Sequence, residues 1–70
     1  MRNIRIVTPY ITLGQLLKYA DLIQSGGEAK TFIDTHEILV NGVSEKQRGK
    51  KLHPGDLLTI DNKTKLMISS

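Results

Sequence analysis

Four cationic side chains crowd one short stretch of the sequence, EKQRGKK, at residues 45–51. The cations are Lys46, Arg48, Lys50 and Lys51. Lysine offers a flexible point charge to a phosphate, and arginine can fork onto a phosphate or a guanine edge with two hydrogen bonds. Gly49 would let a bulky polyanion approach the backbone. This stretch therefore predicts the binding of a phosphate-rich partner.

The positive charge of the chain is concentrated in this stretch. The chain holds ten Lys and Arg against seven Asp and Glu, and without residues 46–51 the balance becomes six against seven. A nearly neutral body with one cationic stretch has the charge pattern of a polyanion-binding protein. A solvated loop that is basic without any partner has the same composition. The elements around the stretch must decide between these two interpretations.

Length and composition restrict the class of protein. A chain of 70 residues allows a single domain, residues 1–70, with a small core. The absence of cysteine excludes a disulfide framework and a thiolate zinc site, and it favours a cytoplasmic location. No run of about 18 apolar residues occurs, so no membrane-spanning segment is expected.

Two helices are expected in the first half of the chain. Thr12 and Gln15 have the spacing of a capping box, in which each side chain bonds the backbone N–H of the other residue. The apolar stripe of the following helix consists of Leu13, Leu16, Leu17 and Ala20. Ser25 and Glu28 repeat the capping-box spacing before a second helix, whose inward residues are Ala29, Phe32 and Ile33.

Strands are expected on both sides of the helix pair. Residues 4–7 predict a short edge strand that stops at a Thr-Pro pair. After the second helix the apolar period changes to alternation, and Asn41-Gly42 predicts a two-residue hairpin turn with positive φ at both positions. Two more strands are expected at residues 57–60 and 65–69.

The order strand, helix, helix, then strands predicts an α+β domain. In this arrangement the two helices form a pair packed on a small, mostly antiparallel β-sheet. The expected core combines the helical and alternating stripes: Leu13, Leu16, Leu17, Ala20, Leu22, Ala29, Phe32, Ile33, Ile38, Val40, Leu58 and Ile60.

Several motifs, taken in order, resemble the alpha-L RNA-binding motif of the S4 domain family. They are a leucine-rich first helix, a Leu-Ile-x-Ser turn, Glu-Ala-Lys in the second helix, an Ile-x-Val-Asn-Gly hairpin and a Pro-Gly-Asp turn, covering about residues 12–60. Each piece alone is common, but their order and spacing are specific. The stretches SGGEAK and RGKKL are most similar to short stand-alone bacterial members of the family.

The resemblance implies a protein that binds structured RNA, with ribosomal or transfer RNA as partner and association with the ribosome. It implies a surface formed by the helix pair and the hairpin loop. Cations that many members carry near the first helix and the inter-helix turn are replaced here by Thr12, Gly14-Gln15 and Gly26. More of the electrostatic work therefore falls on the loop. The expected RNA-binding residues are Lys30, Asn41, Lys46, Arg48, Lys50 and Lys51.

Few aromatic side chains remain to stack on unpaired bases. Phe32 is expected in the core, which leaves Tyr10 and Tyr19, and Tyr19 also suits an ordinary packing position. Recognition of the shape of folded RNA is therefore the expectation, and not the reading of unpaired bases.

No group of residues has the spacing of a catalytic site. Ser25, His36 and His53 lie at no triad or metal-ligand spacing, so neither catalysis nor a cofactor is expected. Each histidine suits a turn or a helix C-terminus better than a ligand position. The alternative function is a small adaptor whose basic loop docks on an acidic protein partner.

Overall fold

The protein, described over residues 1–70 by a computed structural model, packs two short helices on one sheet. Helix α1 spans Leu13–Tyr19, and α2 spans Ala29–Thr35 after a 3₁₀ turn at Gly26–Glu28. The strands are β1 Arg2–Arg5, β2 Ile11–Thr12, β3 Ile38–Val40, β4 Val43–Ser44, β5 Lys51–Leu52, β6 Leu57–Ile60 and β7 Thr64–Ser69. The expected α+β class is confirmed. Neither helix has the length and apolar character needed to cross a membrane.

Five strands form the main sheet in the order β1-β7-β6-β3-β4. Only the β1–β7 pair is parallel, so the expected mostly antiparallel sheet is confirmed. Side chains alternate between its faces, and the inner face carries the apolar residues that meet the helices. The buried core is Ile4, Ile6, Leu13, Leu16, Leu17, Ala20, Ile23, Ala29, Ile33, Ile38, Val40, Leu52, Leu58, Ile60, Leu66 and Ile68.

Helix α1 is fixed at both ends by side chains. At its start the backbone N–H of Gln15 donates to Thr12 Oγ1 at 3.3 Å, and Gln15 Oε1 accepts from the Thr12 N–H at 3.0 Å, which confirms the capping box. At its end Arg2 Nη1 donates to the Ala20 carbonyl at 3.1 Å. A cation there satisfies an orphan carbonyl and interacts favourably with the helix dipole.

Helix α2 begins differently from the prediction. The expected second capping box is wrong: the Ser25 side chain caps no backbone N–H, and its Oγ bonds Glu28 Oε1 at 3.4 Å instead. Because Gly26–Glu28 forms a 3₁₀ turn, α2 starts only at Ala29. Glu28 is then the N-cap of α2 and not its third residue, which is the position that a capping box requires. At the other end His36 Nδ1 lies 2.8 Å from the Phe32 carbonyl, which confirms a helix-terminal role for this histidine.

The buried core is larger than the predicted set, and two predicted members are only partly buried. Leu22 and Phe32 are only half-buried against the core, and the Phe32 ring stacks on His36 with centroids 3.9 Å apart. Six buried residues are absent from the predicted set: Ile4, Ile6, Ile23, Leu52, Leu66 and Ile68. Of these, Ile23 and Leu52 belong to no periodic apolar stripe. The first strand also starts earlier than residues 4–7, and Val7 lies outside it and is 95% exposed.

The Asn41-Gly42 turn is confirmed, with φ of 52° at Asn41 and 84° at Gly42. It joins β3 to β4 with the register Val40 opposite Val43. Positive φ at both positions matches the right-handed twist of the two strands, which is why this residue pair suits a two-residue hairpin.

Replacing Gly42 by alanine should reduce the free energy of unfolding by about 1 kcal/mol, because an L side chain is strained at positive φ. The melting temperature of a domain of this size should then fall by about 4–8 °C. A Cβ at Gly42 would meet no atom within 4 Å, so the loss would come from the backbone and not from a clash. The matched control is Gly49→Ala, which is equally open but outside the positive-φ region; equal losses in both variants would contradict this explanation.

Candidate nucleic-acid interface

The basic loop, residues 45–51, is bonded through its backbone to the start of α1. The Leu13 N–H donates to the Lys50 carbonyl at 2.8 Å, and the Gly14 N–H donates to the Arg48 carbonyl at 2.9 Å. The first N–H groups of a helix have no partner inside the helix, and here the loop supplies the acceptors. The loop is therefore part of the folded structure and does not move freely in solvent.

Two further contacts fix the shape of the loop. A turn closes it, in which the Lys50 N–H donates to the Gln47 carbonyl at 3.1 Å. Strand β5 then pairs with β2 in a separate antiparallel ladder, with Lys51 opposite Thr12. Strand β2 runs directly into α1. The β2–β5 ladder and the bonds at the start of α1 therefore both connect the basic loop to this one segment.

A shallow depression lies where the basic loop meets both helices. Lys18 of α1 and Arg48 of the loop line it, together with Thr12, Gly14, Gln15, Gly26, Ala29 and Gly49. No carboxylate is among these residues. The depression is therefore a cationic surface built from three parts of the chain that are distant in sequence.

Three of the residues that line this depression are glycines, which present bare backbone. At Gly14 the neighbouring space is occupied: a Cβ there would lie in van der Waals contact, 3.4 Å from the Arg48 carbonyl oxygen and 3.5 Å from the Ala29 Cβ. At Gly26 and Gly49 the neighbouring space is open, since an added Cβ would meet no atom within 4 Å. The φ angle is not positive at either position. Bare backbone beside two cations leaves room for a bulky anion to approach.

A second depression lies on the other side of the loop. It contains three of the predicted site residues, Asn41, Lys50 and Lys51, but also the carboxylates of Glu45 and Asp56. The Asn41 side chain is occupied internally: its Nδ2 donates to Asp56 Oδ1 at 3.0 Å and its Oδ1 accepts from the Leu57 N–H at 2.9 Å. Asn41 thus joins the hairpin to the Pro-Gly-Asp turn, and an RNA contact by this residue stays a prediction.

The other two predicted site residues point elsewhere. Lys46 Nζ donates to the Ile33 carbonyl at 3.3 Å, in the last turn of α2, where a cation also interacts favourably with the helix dipole. Lys30 is exposed on α2 and lines neither depression. The structure therefore groups Arg48 with Lys18 and Lys50 with Lys51, and it separates Lys46 and Lys30 from both pairs.

Lys18 is the cation that the sequence analysis missed. It lies four residues after Gly14, on the same face of α1 and away from the apolar stripe. If the contact between Gly14 and the basic loop had been known, the position of Lys18 on the same face as Gly14 would have identified it. The contact joins residues far apart in the chain and leaves no periodic signal in the sequence.

Asp56 organises the second depression. Partial burial raises the pKa of Asp56, but the 2.7 Å hydrogen bond from the His53 N–H, the bond from Asn41 and the charges of His53 and Lys50 outweigh burial and lower it. The deprotonated carboxylate is thus the form that the folded protein favours. It also partly neutralises Lys50, so this side of the loop presents less positive charge than the side with Lys18.

No other arrangement of reactive groups competes with these surfaces. The chain contains no cluster of three or more histidine, cysteine or carboxylate side chains placed to hold a metal ion. His36 and His53 each lie near one carboxylate, Asp61 at 3.8 Å and Asp56 at 3.9 Å respectively. The first pair joins the C-terminus of α2 to the β6–β7 turn, and the second lies within the turn before β6.

Comparison with known proteins agrees with the geometry. A profile described as the S4 domain matches residues 4–68, which is nearly the whole chain. The chain is also 55% identical over 58 residues to the "Probable ribosome maturation protein RlbA" of Bacillus subtilis (strain 168). That match covers 83% of this chain and 82% of the relative.

The Asp56 contacts predict a specific loss of stability in acid. Because the pKa of Asp56 is lower in the folded protein than in the unfolded chain, its contribution is complete above the unfolded value and is lost as the pH falls through the folded value. Wild type should therefore be more stable than Asp56→Asn above about pH 5, and the two should converge in stronger acid. Urea unfolding at stepped pH measures the difference.

Asp34→Asn is the matched control for this experiment, since it makes the same chemical change at an exposed position of α2. Its unfolding midpoint should follow that of wild type. A stability difference between wild type and Asp56→Asn that stays constant from neutral to acidic pH would contradict the assigned role of Asp56.

Proposed function

The chain belongs to the S4 domain family, and from this membership we propose that it binds folded RNA through the joined surface of the basic loop and the helix pair. In this proposal α1, α2 and the β3–β4 hairpin together form the alpha-L RNA-binding motif. The protein acts as a binding module and carries out no chemical step itself.

The observation that carries the proposal is the pair of backbone hydrogen bonds between the loop and α1. These bonds place the carbonyls of Arg48 and Lys50 at 2.9 and 2.8 Å from the helix N–H groups. These bonds satisfy helix N–H groups, and a phosphate-binding surface also gains from the fixed backbone because less conformational entropy is lost on binding. The fixed loop supports RNA binding over a merely solubilising role.

Within the surface, the Lys18 side of the loop is proposed as the main phosphate site. Lys18 and Arg48 stand there without a carboxylate, and the backbones of Gly26 and Gly49 are bare. Lys50 and Lys51 extend the cationic surface along the loop, although Asp56 weakens the field on that side. Lys30 acts as a flanking contact. For Lys46 the bond to α2 favours a structural contribution over a phosphate contact.

Ribosomal RNA is the proposed partner. The relative from Bacillus subtilis is named a probable ribosome maturation protein, which favours ribosomal over transfer RNA. Recognition would depend on RNA shape and backbone charge at this surface, because lysines and bare peptide groups meet phosphates and carry no sequence information. The association of the chain with assembling ribosomes follows from the same proposal.

The triple variant Arg48→Gln, Lys50→Gln, Lys51→Gln should weaken binding to a folded ribosomal RNA fragment and flatten its salt dependence. Each phosphate contact contributes about −0.7 to −0.9 to the slope of log affinity against log salt, so the slope should fall in magnitude by about 2. The loss should be similar for RNA fragments of the same shape and different sequence. Titrations at several salt concentrations measure both quantities.

A control variant with the same change in net charge is Arg5→Gln, Lys63→Gln, Lys65→Gln. Arg5 and Lys65 alternate with buried Ile4 and Leu66 and so lie on the sheet face opposite the helices, and Lys63 lies in the turn before β7. This variant should keep nearly all of the affinity. Equal losses of affinity in the two variants would mean that RNA binding depends only on the net charge of the protein. No binding of RNA by wild type, with capture of an acidic protein that depends on the loop, would favour the adaptor function.

A further inference from the structure

Next to the basic loop lies a groove with two exposed aromatic rings. Tyr10 and Tyr19 are on its wall, and they retain 40% and 62% of their surface exposed to solvent. The groove has a volume of about 790 Å³ and is otherwise lined by Thr8, Pro9, Ile11, Thr12, Gln15 and Lys18. It contains no carboxylate. The two aromatic side chains that the sequence analysis left outside the core thus line one groove.

Both rings are held in place by contacts at their edges or on one face. The Tyr19 hydroxyl donates to the Arg5 carbonyl at 3.3 Å, which anchors the tip of the ring to the end of β1. Lys51 Nζ lies 4.9 Å from the centroid of Tyr10, a cation–π contact on that ring. The segment before Tyr10 is stabilised by a hydrogen bond from Thr8 Oγ1 to the Tyr10 carbonyl at 2.9 Å. Fixed rings lose little entropy when a ligand stacks on them.

Two lysines connect the groove to the RNA surface proposed above. Lys18 lines both the groove and the depression that contains Arg48. Lys51 contacts Tyr10 and also lines the second depression with Lys50. A polyanion that extends from the loop past Lys18 or past Lys51 therefore meets a lysine first and then a tyrosine ring. The groove is thus a continuation of the cationic surface and not a separate pocket.

We infer that this groove binds an unpaired stretch of RNA that extends from the folded part held by the basic loop, with bases stacked on Tyr10 and Tyr19. Its phosphates lie against Lys18 and Lys51. Stacking on an aromatic side chain tolerates any base, because every base has a flat face, so the groove selects for unpaired nucleotides and not for a sequence. This inference rests on the proposed binding of folded RNA and adds a preference for a single-stranded extension.

The test compares two RNA probes, a blunt hairpin and the same hairpin with a short oligoadenylate tail. Wild type should bind the tailed hairpin more tightly, on the order of tenfold for each stacked base. Tyr10→Ala combined with Tyr19→Ala should lose most of the preference for the tailed hairpin and keep only the part that the tail phosphates contribute at Lys18 and Lys51. Because the chain has two tyrosines and no tryptophan, its intrinsic fluorescence reports only these rings, and the tail should quench it.

Two controls separate stacking from folding and from charge. Tyr10→Phe combined with Tyr19→Phe keeps both rings, so it should keep the preference for the tail even though it loses the hydrogen bond to the Arg5 carbonyl. A tail without bases keeps its phosphate contacts with Lys18 and Lys51, so it should give only a small part of the tighter binding and no quenching. The melting temperature of each variant shows whether the fold is intact, and the phenylalanine variant decides the question if the alanine variant unfolds.

The outcomes distinguish this inference from the proposed function. If wild type binds both hairpins equally and its fluorescence is unchanged by the tail, the groove does not bind RNA, while the loop proposal stands. If wild type binds neither hairpin, the proposed function itself fails.

Discussion

The arrangement of this small domain depends on two main-chain hydrogen bonds, from the first N–H groups of α1 to the carbonyls of Arg48 and Lys50. Each bond contributes on the order of 1 kcal/mol, and each also prevents a helix N–H from being left unsatisfied. Repulsion between exposed like charges at contact distance is only about 1 kcal/mol in water and is screened further by salt. Two bonds and the β2–β5 ladder therefore suffice to hold a cationic loop against the helix pair.

Local patterns in the sequence predicted most of the fold. The Thr12 capping box, the Asn41-Gly42 turn and the alternation of β3, β6 and β7 each arise from residues close in the chain, so they could be recognised without a structure. The second capping box failed because the prediction assumed an α-helical start, and two glycines allowed a 3₁₀ turn instead. The two-residue strands β2 and β5 are too short for any period to be visible.

The candidate site was predictable in composition but not in geometry. Charge counting located the basic loop, yet it could not distinguish a lysine that faces solvent from Lys46, which bonds a helix carbonyl. It also could not reveal Lys18, whose neighbour in space is Arg48. Ile23 and Leu52 were missed in the core for the same reason, since their burial depends on chain segments that approach from far away in sequence. What sequence alone leaves undetermined here is long-range pairing.

The parallel pairing of β1 with β7 has a consequence for biosynthesis. Strand β1 is made first, but its partner, which carries Leu66 and Ile68 into the core, is made last. Strand β7 also lies between β1 and β6, so the sheet has a gap until β7 has left the exit tunnel. Ile4 and the unpaired edge of β1 stay exposed during that time, and closing contacts so far apart in sequence is slow. A nascent chain stalled near residue 60 would present the same edge to its surroundings, and unpaired strand edges are prone to aggregation.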